Sequence, residues 1–485
     1  MTKNYTIMQY FEWHSNDDGN HWNRLKDEAE SLKEKGFDAI WLPPATKADH
    51  VMNTGYSVYD LYDLGEFDQK GQVRTKYGTK EELIAAIEAL HEQDIKVYAD
   101  VVLNHKAGAD EAETVRVVEV DPNDRNHEIS EPFDIDAFTK FYFPGRNKKY
   151  SAFEWNYTHF NGTDYDHRTG RTGIFKILGE NKDWNENVDQ EKGNFDYLMF
   201  TNVDYQHPDV REETINWGKW FIDTLNIDGM RLDAVKHIES YFIRDFVHAM
   251  REHRGQDFYF VGEFWNPDLE VNENFLDEAE YSLDLFDVRL HFNFKAASEG
   301  GAAYDLRQIF DGTLVKENPE HAVTFVDNHD SQPGEALESF VKDWFKQSAY
   351  ALILLREDGF PCVFYGDYYG IGGEHPIDSK QMAIDPLLYV RKLKAYGQQD
   401  DYFDHPNVVG WVRRGYAEDK SGCAVIINNS EQPAEKQMFV GADRAGQTWY
   451  DYTDTIEEGV VIDEEGNGVF KVNPGSVSVY CEKEA

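Results

Sequence analysis

Basic side chains are scarce in this sequence. Lys and Arg number 48 against 91 Asp and Glu, a formal net charge of −43. A nucleic-acid partner requires basic patches that neutralise phosphate, and this surface repels phosphate, so no nucleic-acid partner is expected. The acidity reads as solubility and self-repulsion, or as adaptation to salt or alkali. A neutral sugar meets no net electrostatic barrier in either case. Cysteine is equally sparse: Cys362, Cys423 and Cys481 lie far apart along the chain. They form neither a disulfide framework nor a zinc-ligand pattern. No apolar run approaches the ~18 residues needed to span a bilayer, so no membrane partner is expected. No apolar signal core follows Met1, whose neighbours are Thr2-Lys3-Asn4-Tyr5. If Met1 is the native start, the protein is expected to stay in the cytoplasm. A secreted chain whose leader had been replaced by Met would read the same.

What is present is alternation. With 485 residues the chain exceeds one compact core, and two to four domains are expected. Strand-like runs appear at Ala39 to Leu42, Val97 to Leu103, Phe258 to Val261 and Ala322 to Val326. Between them come helical stripes. Trp22, Leu25, Ala29 and Leu32 form one, stopped by Gly36 at a C′ position. Thr79-Lys80-Glu81-Glu82 opens another as a capping box that carries Leu83, Ile87 and Leu90 inward. Trp217, Phe221 and Leu225 form a third stripe, and Phe242, Phe246 and Met250 a fourth. This order predicts an α/β fold, most economically a closed (β/α)8 TIM barrel.

Two regions break the alternation. Residues 105–205 are polar and aromatic without a helical period. A structureless loop of ~100 residues does not suit a compact domain, so an inserted domain is expected after the third strand, between barrel segments 1–104 and 206–396. Over 397–485 the helices vanish. Ala424 to Ile427, Val460 to Ile462 and Val477 to Tyr480 read as strands of a C-terminal all-β sandwich domain.

In such a barrel, catalytic groups stand at the C-terminal ends of the strands. The third strand runs into Asn104-His105, the fourth is Gly229 to Asp233, the fifth ends in Gly262-Glu263-Phe264, and the seventh ends in Val326 to Asp330. Asp233 and Glu263 are 30 residues apart, one β-α-β unit, which places them on adjacent strands with axes ~4.8 Å apart. Carboxyl groups ~5–5.5 Å apart suit a retaining glycosidase. Arg231, two residues before Asp233, points to the same side and holds that carboxylate ionised, as a nucleophile requires. Glu263 follows an apolar run with no adjacent cation, so its pKa should rise, as a general acid requires. Asp330 adds negative charge opposite an oxocarbenium-like transition state, and His105 and His329 are candidates to hold sugar hydroxyls. Tyr56, Trp13 and Trp265 lie near strand ends, where a ring can stack on a pyranose. Each residue alone is ordinarily an ion pair or a packed ring; the constellation carries the reading. Asp183, Asp196, Asn202 and Asp204 of the insert, with Asn104 at its base, offer the oxygen ligands that calcium prefers.

These residues also resemble the alpha-amylase family, in particular its bacterial liquefying type. The resemblance runs along nearly the whole chain: Met8 to Trp13, Gly55 to Phe67, Asp100 to His105, Arg231 to His237, Glu263, and Phe325 to Asp330. It implies a calcium-binding insert, a C-terminal sandwich and endo-hydrolysis of alpha-1,4 bonds in starch, glycogen or maltodextrin. It also implies Asp233 as nucleophile, Glu263 as acid/base and Asp330 as transition-state stabiliser. Tyr56, His105, Arg231, Lys236 and His329 become substrate residues. The implied calcium ligands are Asn104, Asp196, Asn202 and the backbone carbonyl of His237. At three positions where secreted relatives of this type carry Asp, this chain has Asn161, Asn202 and Asn428, so a weakened principal calcium site is expected. Relatives without a secretion signal point to the cytoplasm, and a monomer is expected. The alternatives are an exo-acting or transglycosylating enzyme of the same barrel class, and a non-catalytic binding protein.

Overall fold

The computed structural model describes residues 4–416, 418 and 420–482; Met1, Thr2 and Lys3, where the start of the chain was read, lie outside the described residues. Eight parallel strands close into a barrel in sequential order: β1 (Ile7–Gln9), β2 (Ala39–Leu42), β3 (Lys96–Val101), β4 (Gly229–Leu232), β5 (Tyr259–Gly262), β6 (Asp284–Phe286), β7 (Ala322–Phe325) and β8 (Phe360–Phe364). Their side chains alternate between two cores, as the strand period of two dictates. Ala39, Trp41, Tyr98, Val261, Phe286, Val323 and Phe325 fill the barrel interior. Ile40, Leu42, Val97, Ala99, Met230, Leu232, Phe260 and Leu285 point outward onto the surrounding helices.

Local signals fix the helices. The helix His21–Lys35 ends at Gly36 in the left-handed conformation (φ 102°), and its Trp22, Leu25, Ala29 and Leu32 are buried. The helix Lys80–Glu92 opens with both halves of the capping box between Thr79 and Glu82, an arrangement worth about 1 kcal/mol. The helices Pro208–Leu225 and Ser240–Arg254 bury Trp217, Phe221, Leu225 and Phe242, Phe246, Met250 respectively.

Between β3 and β4 the chain makes a seven-stranded sheet in which Thr201–Val203 returns to pair with His105–Lys106. The insert therefore starts and ends beside the mouth of the barrel. After the helix Gln381–Leu393 the chain forms a six-stranded antiparallel sheet and a two-stranded one, Ala434–Phe439 with Asn467–Val472. Val412, Ile426, Met438, Trp449 and Phe470 pack between them. The opposite face of the larger sheet, with Val425, Ile427, Val477 and Val479, joins the main core.

The cysteines are less scattered in space than in sequence. The strand register sets Ala424 opposite Tyr480, and one residue further places Cys423 opposite Cys481. Both are buried as free thiols. No helix among the described residues is long and apolar enough to cross a membrane.

Candidate active site

Arg231 occupies the centre of the barrel mouth with its side chain fully buried. It pairs across the sheet with Asp100 of β3, and both point inward. Arg231 Nη1 donates to Asp100 Oδ1 and Oδ2 at 2.9 and 3.2 Å and to Asp233 Oδ1 at 2.6 Å. Asp100 Oδ2 also accepts from Trp41 Nε1 (3.0 Å) and Tyr56 Oη (2.9 Å). The guanidinium lies over the Trp41 ring, 5.1 Å from its centroid. Arg231 Nε and Nη2 have no hydrogen-bond partner in the protein. These donors face a site where substrate hydroxyls or water would satisfy them.

The register of β4 and β5 pairs Leu232 with Gly262, so Asp233 and Glu263 follow at equivalent positions on adjacent strands. Glu263 lies 3.9 Å from Arg231 Nη2. The expectation of no cation beside Glu263 is thus corrected: Arg231 turns inward with Nη1 on Asp233 and Nη2 near Glu263. Burial still raises the Glu263 pKa, with Asp233 adding to the rise and Arg231 opposing it. Ala234, between the acid and the helical turn Val235–His237, adopts a left-handed backbone (φ 51°) that costs of order 1 kcal/mol in a non-glycine residue. That turn aims its amide at Glu263 Oε2 (2.9 Å).

Asp330 completes the cluster. Burial, then the Glu263 charge, push its carboxyl well above the usual range. One buried guanidinium cannot balance four carboxylates, so like-charge repulsion holds part of the cluster protonated. His329 Nε2 lies 3.3 Å from Asp330 Oδ2, while its Nδ1 meets Gln9 Nε2 at 2.9 Å. Burial holds this imidazole neutral. The rings of Trp13, Tyr56 and His329 are parallel within 8°, with centroids 5.0–5.9 Å apart. They make one aromatic surface beside the acids.

The remaining sequence-named residues fall in different places. His105 turns Nε2 to the Tyr56 carbonyl (2.8 Å) and Nδ1 to Asn104 Nδ2 (3.3 Å). With both nitrogens engaged, it holds the Tyr56 backbone rather than presenting a free nitrogen to a sugar hydroxyl. Lys236 Nζ donates to Glu191 Oε2 (2.9 Å) and to the Trp265 carbonyl (3.2 Å), tying the insert to β5. The Trp265 ring packs against His291 and Phe325. One cavity of about 460 Å³ lies beside Trp13, His50 and Asn53, and another of about 550 Å³ beside Lys236, Glu191 and Phe264.

The oxygen-rich residues of the insert form a network around Asp196. Its carboxylate accepts from Asn161 Nδ2 (2.6 Å) and from the Asn185 amide and side chain (3.0 and 2.9 Å). Burial nonetheless pushes Asp196 up to about 7. Asn202 Oδ1 and Asn185 Oδ1 are buried without a donor. A buried carboxylate beside two unpaired amide oxygens fits a hard cation. His237 reaches this region by donating Nδ1–H to the Phe195 carbonyl (2.6 Å). Asp183 and Asp204 do not turn their carboxylates toward Asp196. Asp183 is largely exposed against Lys176, and Asp204 accepts from the buried Lys182 Nζ at 2.9 Å. His159, His207 and Asp209 also bring ligand-type atoms within 4.8 Å of one another. There, however, Nδ1 of His159 and of His207 each accepts a backbone amide, which puts the ring protons on Nε2 and leaves no lone pair for a cation.

Sequence reasoning missed Asp100, Gln9 and Ala234. A charged residue inside the apolar run of β3, at an inward-facing position, was the available signal for Asp100.

Comparison with known proteins agrees with this geometry. The chain matches the family described as "Alpha amylase, catalytic domain" over residues 14–438 and "Alpha-amylase C-terminal" over residues 423–481. It is 51% identical to a glucan 1,4-alpha-maltohexaosidase of Bacillus sp. strain 707, over 99% of this chain and 93% of that protein. It is likewise 51% identical to an alpha-amylase of Bacillus licheniformis, over 99% and 94%. A cytoplasmic alpha-amylase of Escherichia coli K12 is 42% identical, over 99% of both chains. Among solved structures, an Anoxybacillus alpha-amylase shares the fold with a TM-score of 0.67 at 18% identity, covering 100% of this chain and 98% of that one.

Asp100→Asn breaks a fully buried ion pair. It should lower stability by about 3–5 kcal/mol in urea unfolding. A loss below about 1 kcal/mol would show that Asp233 alone suffices to hold Arg231.

Proposed function

The chain belongs to the alpha-amylase family and hydrolyses alpha-1,4-glucans, and from that premise we propose a retaining double displacement by Asp233, Glu263 and Asp330. The observation that carries the proposal is the convergence of these acids on the one guanidinium of Arg231 at the C-terminal mouth of the barrel. Asp233, on Arg231, attacks the anomeric carbon. Glu263, whose pKa burial raises, passes its proton to the departing glycosidic oxygen. The bond to oxygen breaks as the Asp233–carbon ester forms. Glu263, now ionised, then takes a proton from water, whose oxygen displaces Asp233 and restores both acids. Adjacent strands lie ~4.8 Å apart, which suits the ~5–5.5 Å spacing of a retaining pair. Asp330 stands beside this pair, where its negative charge would stabilise cationic character developing at the sugar. Trp13 and Tyr56 offer a stacking surface to one side, Lys236 and Trp265 border the other, and His105 and His329 fix the rings between. Endo cleavage is the reading carried over from the alpha-amylase relatives.

We further propose one calcium ion held by Asp196, Asn202, Asn104 and the His237 carbonyl, which joins the insert to the turn after β4. It supplies positive charge to a buried carboxylate. Additional ions are not called for: Lys182 already balances Asp204, and Asn428 is satisfied by Gln432, Asn473 and Ser430. Domain limits at 1–104, 105–205, 206–396 and 397–485 follow from the two insertions into the alternating pattern. Likeness to the cytoplasmic relative and three free thiols support action in the cytoplasm, to be checked by cell fractionation, and the expected monomer is to be checked by light scattering.

Glu263→Gln should reduce kcat on amylose about 10²–10⁴-fold while maltooligosaccharide binding persists; retained activity would reassign the acid. The wild type should thin starch rapidly, whereas slow thinning with early release of short sugars would indicate exo attack. Positive charge on Lys236 favours ionised Glu263. Lys236→Met should therefore shift the alkaline limb of the kcat/KM profile to higher pH, and an unchanged or acid-shifted limb refutes that coupling. Calorimetry on chelator-treated protein should find one calcium ion, bound weakly; several sites of nanomolar affinity contradict the scheme.

A further inference from the structure

Lys346 lies on the helix Asp343–Leu354, outside the barrel wall, and is almost wholly buried. Its Nζ contacts two carboxylates, Asp327 Oδ2 at 2.5 Å and Asp367 Oδ1 at 2.6 Å. Asp327 stands two residues beyond β7. Asp367 belongs to the short helix Tyr365–Tyr369 that directly follows β8. One ammonium thus clips together the exits of two neighbouring strands.

From Asp327 the contacts run on to Asp330. Asp327 Oδ1 accepts from Ser331 Oγ at 2.6 Å, and Ser331 Oγ accepts the Asn328 amide at 3.0 Å. Asn328 Oδ1 then accepts the amides of Asp330 (3.0 Å) and Ser331 (2.8 Å). Asp327 Oδ2 also accepts the Val341 amide at 3.1 Å, which closes the loop that follows. Asp327 meets the Lys346 ammonium directly, Ser331 is tied to it through Asp327, and Asn328 and the Asp330 amide follow through Ser331.

This arrangement is poorly explained as a contribution to stability. Two buried carboxylates share one cation, and apolar residues of similar volume commonly stabilise a fold as well as or better than a buried ion pair. What the ion pair supplies is direction: a charged, multiply hydrogen-bonded anchor allows the turn one geometry. The residue that this geometry aims is Asp330. We propose that Lys346 is a positioning residue for the reaction, acting through Asp327 and Ser331 to fix Asp330 against the glycosidic linkage. The inference rests on the reading of Asp330 as one of the three acids.

A double-mutant cycle on the full chain tests it, with kcat and KM on a maltooligosaccharide and the thermal midpoint measured for each variant. A displacement of about 1 Å costs about 10²-fold, so Lys346→Met should lower kcat about 10- to 100-fold with KM within about twofold. Lys346→Arg should recover part of the loss. In the Asp330→Asn background the same substitution should cost less than about twofold, because the group it aims is already gone. Ser331→Ala, which leaves no buried charge unpaired, should lower kcat in the same direction with little change in thermal midpoint, and it decides the matter if Lys346→Met fails to fold. Full additivity of Lys346→Met with Asp330→Asn, or an unchanged kcat in Ser331→Ala, overturns the proposal. An Asp330→Asn variant that keeps normal activity instead overturns the catalytic reading on which the proposal stands.

Discussion

Arg231 carries a charge it cannot lose, buried among the carboxylates of the barrel mouth. Asp100 anchors it from β3, Asp233 meets it from β4, and Glu263 approaches its second amino group from β5. The guanidinium is planar and its donors are fixed in direction. Its placement therefore sets the relative placement of the acids around it. Trp41 below and Tyr56 beside Asp100 remove the freedom that remains. The protonation pattern follows from the same count of charges. With a single cation available, burial pushes up Asp100, although it touches the guanidinium, as well as Glu263 and Asp330.

The insert serves this centre through its two ends. The strand His105–Lys106 opens it and Thr201–Val203 closes it, both next to the barrel mouth. Between them, Glu191 reaches Lys236 and the Phe195 carbonyl accepts from His237, so the insert is tied to the turn that follows Asp233. The Asp196 network sits on this same seam. Its buried amide oxygens and its reluctant carboxylate make it the least self-sufficient part of the molecule.

Much of this was legible in the sequence where one signal sufficed. The unbroken apolar run Ala39 to Leu42 specifies a strand buried on both faces and the stripe Trp22-Leu25-Ala29-Leu32 one packing face, and the structure buries them so. The acids at strand ends could be named because a parallel barrel leaves few other places for them. What could not be read were partners set by tertiary approach. Nothing local to Glu263 reveals that Arg231 reaches it, since that contact crosses from one strand to the next. The engagement of His105 Nε2 depends on Tyr56, which lies 49 residues earlier. Composition likewise counted Asp183 and Asp204 as free oxygen donors, whereas lysines of the fold had already taken them.

Lys182, buried against Asp204 and the Phe160 carbonyl, has a consequence of its own. A dissolved ion occupies its place only as often as its surroundings supply it, and it can be diluted away. A side chain is tethered, so its local concentration is set by the backbone and not by the medium. At this corner of the insert, the folded state carries its own counter-charge from the moment of synthesis. The exchange is that such a charge cannot be withdrawn or replenished to signal anything about the environment.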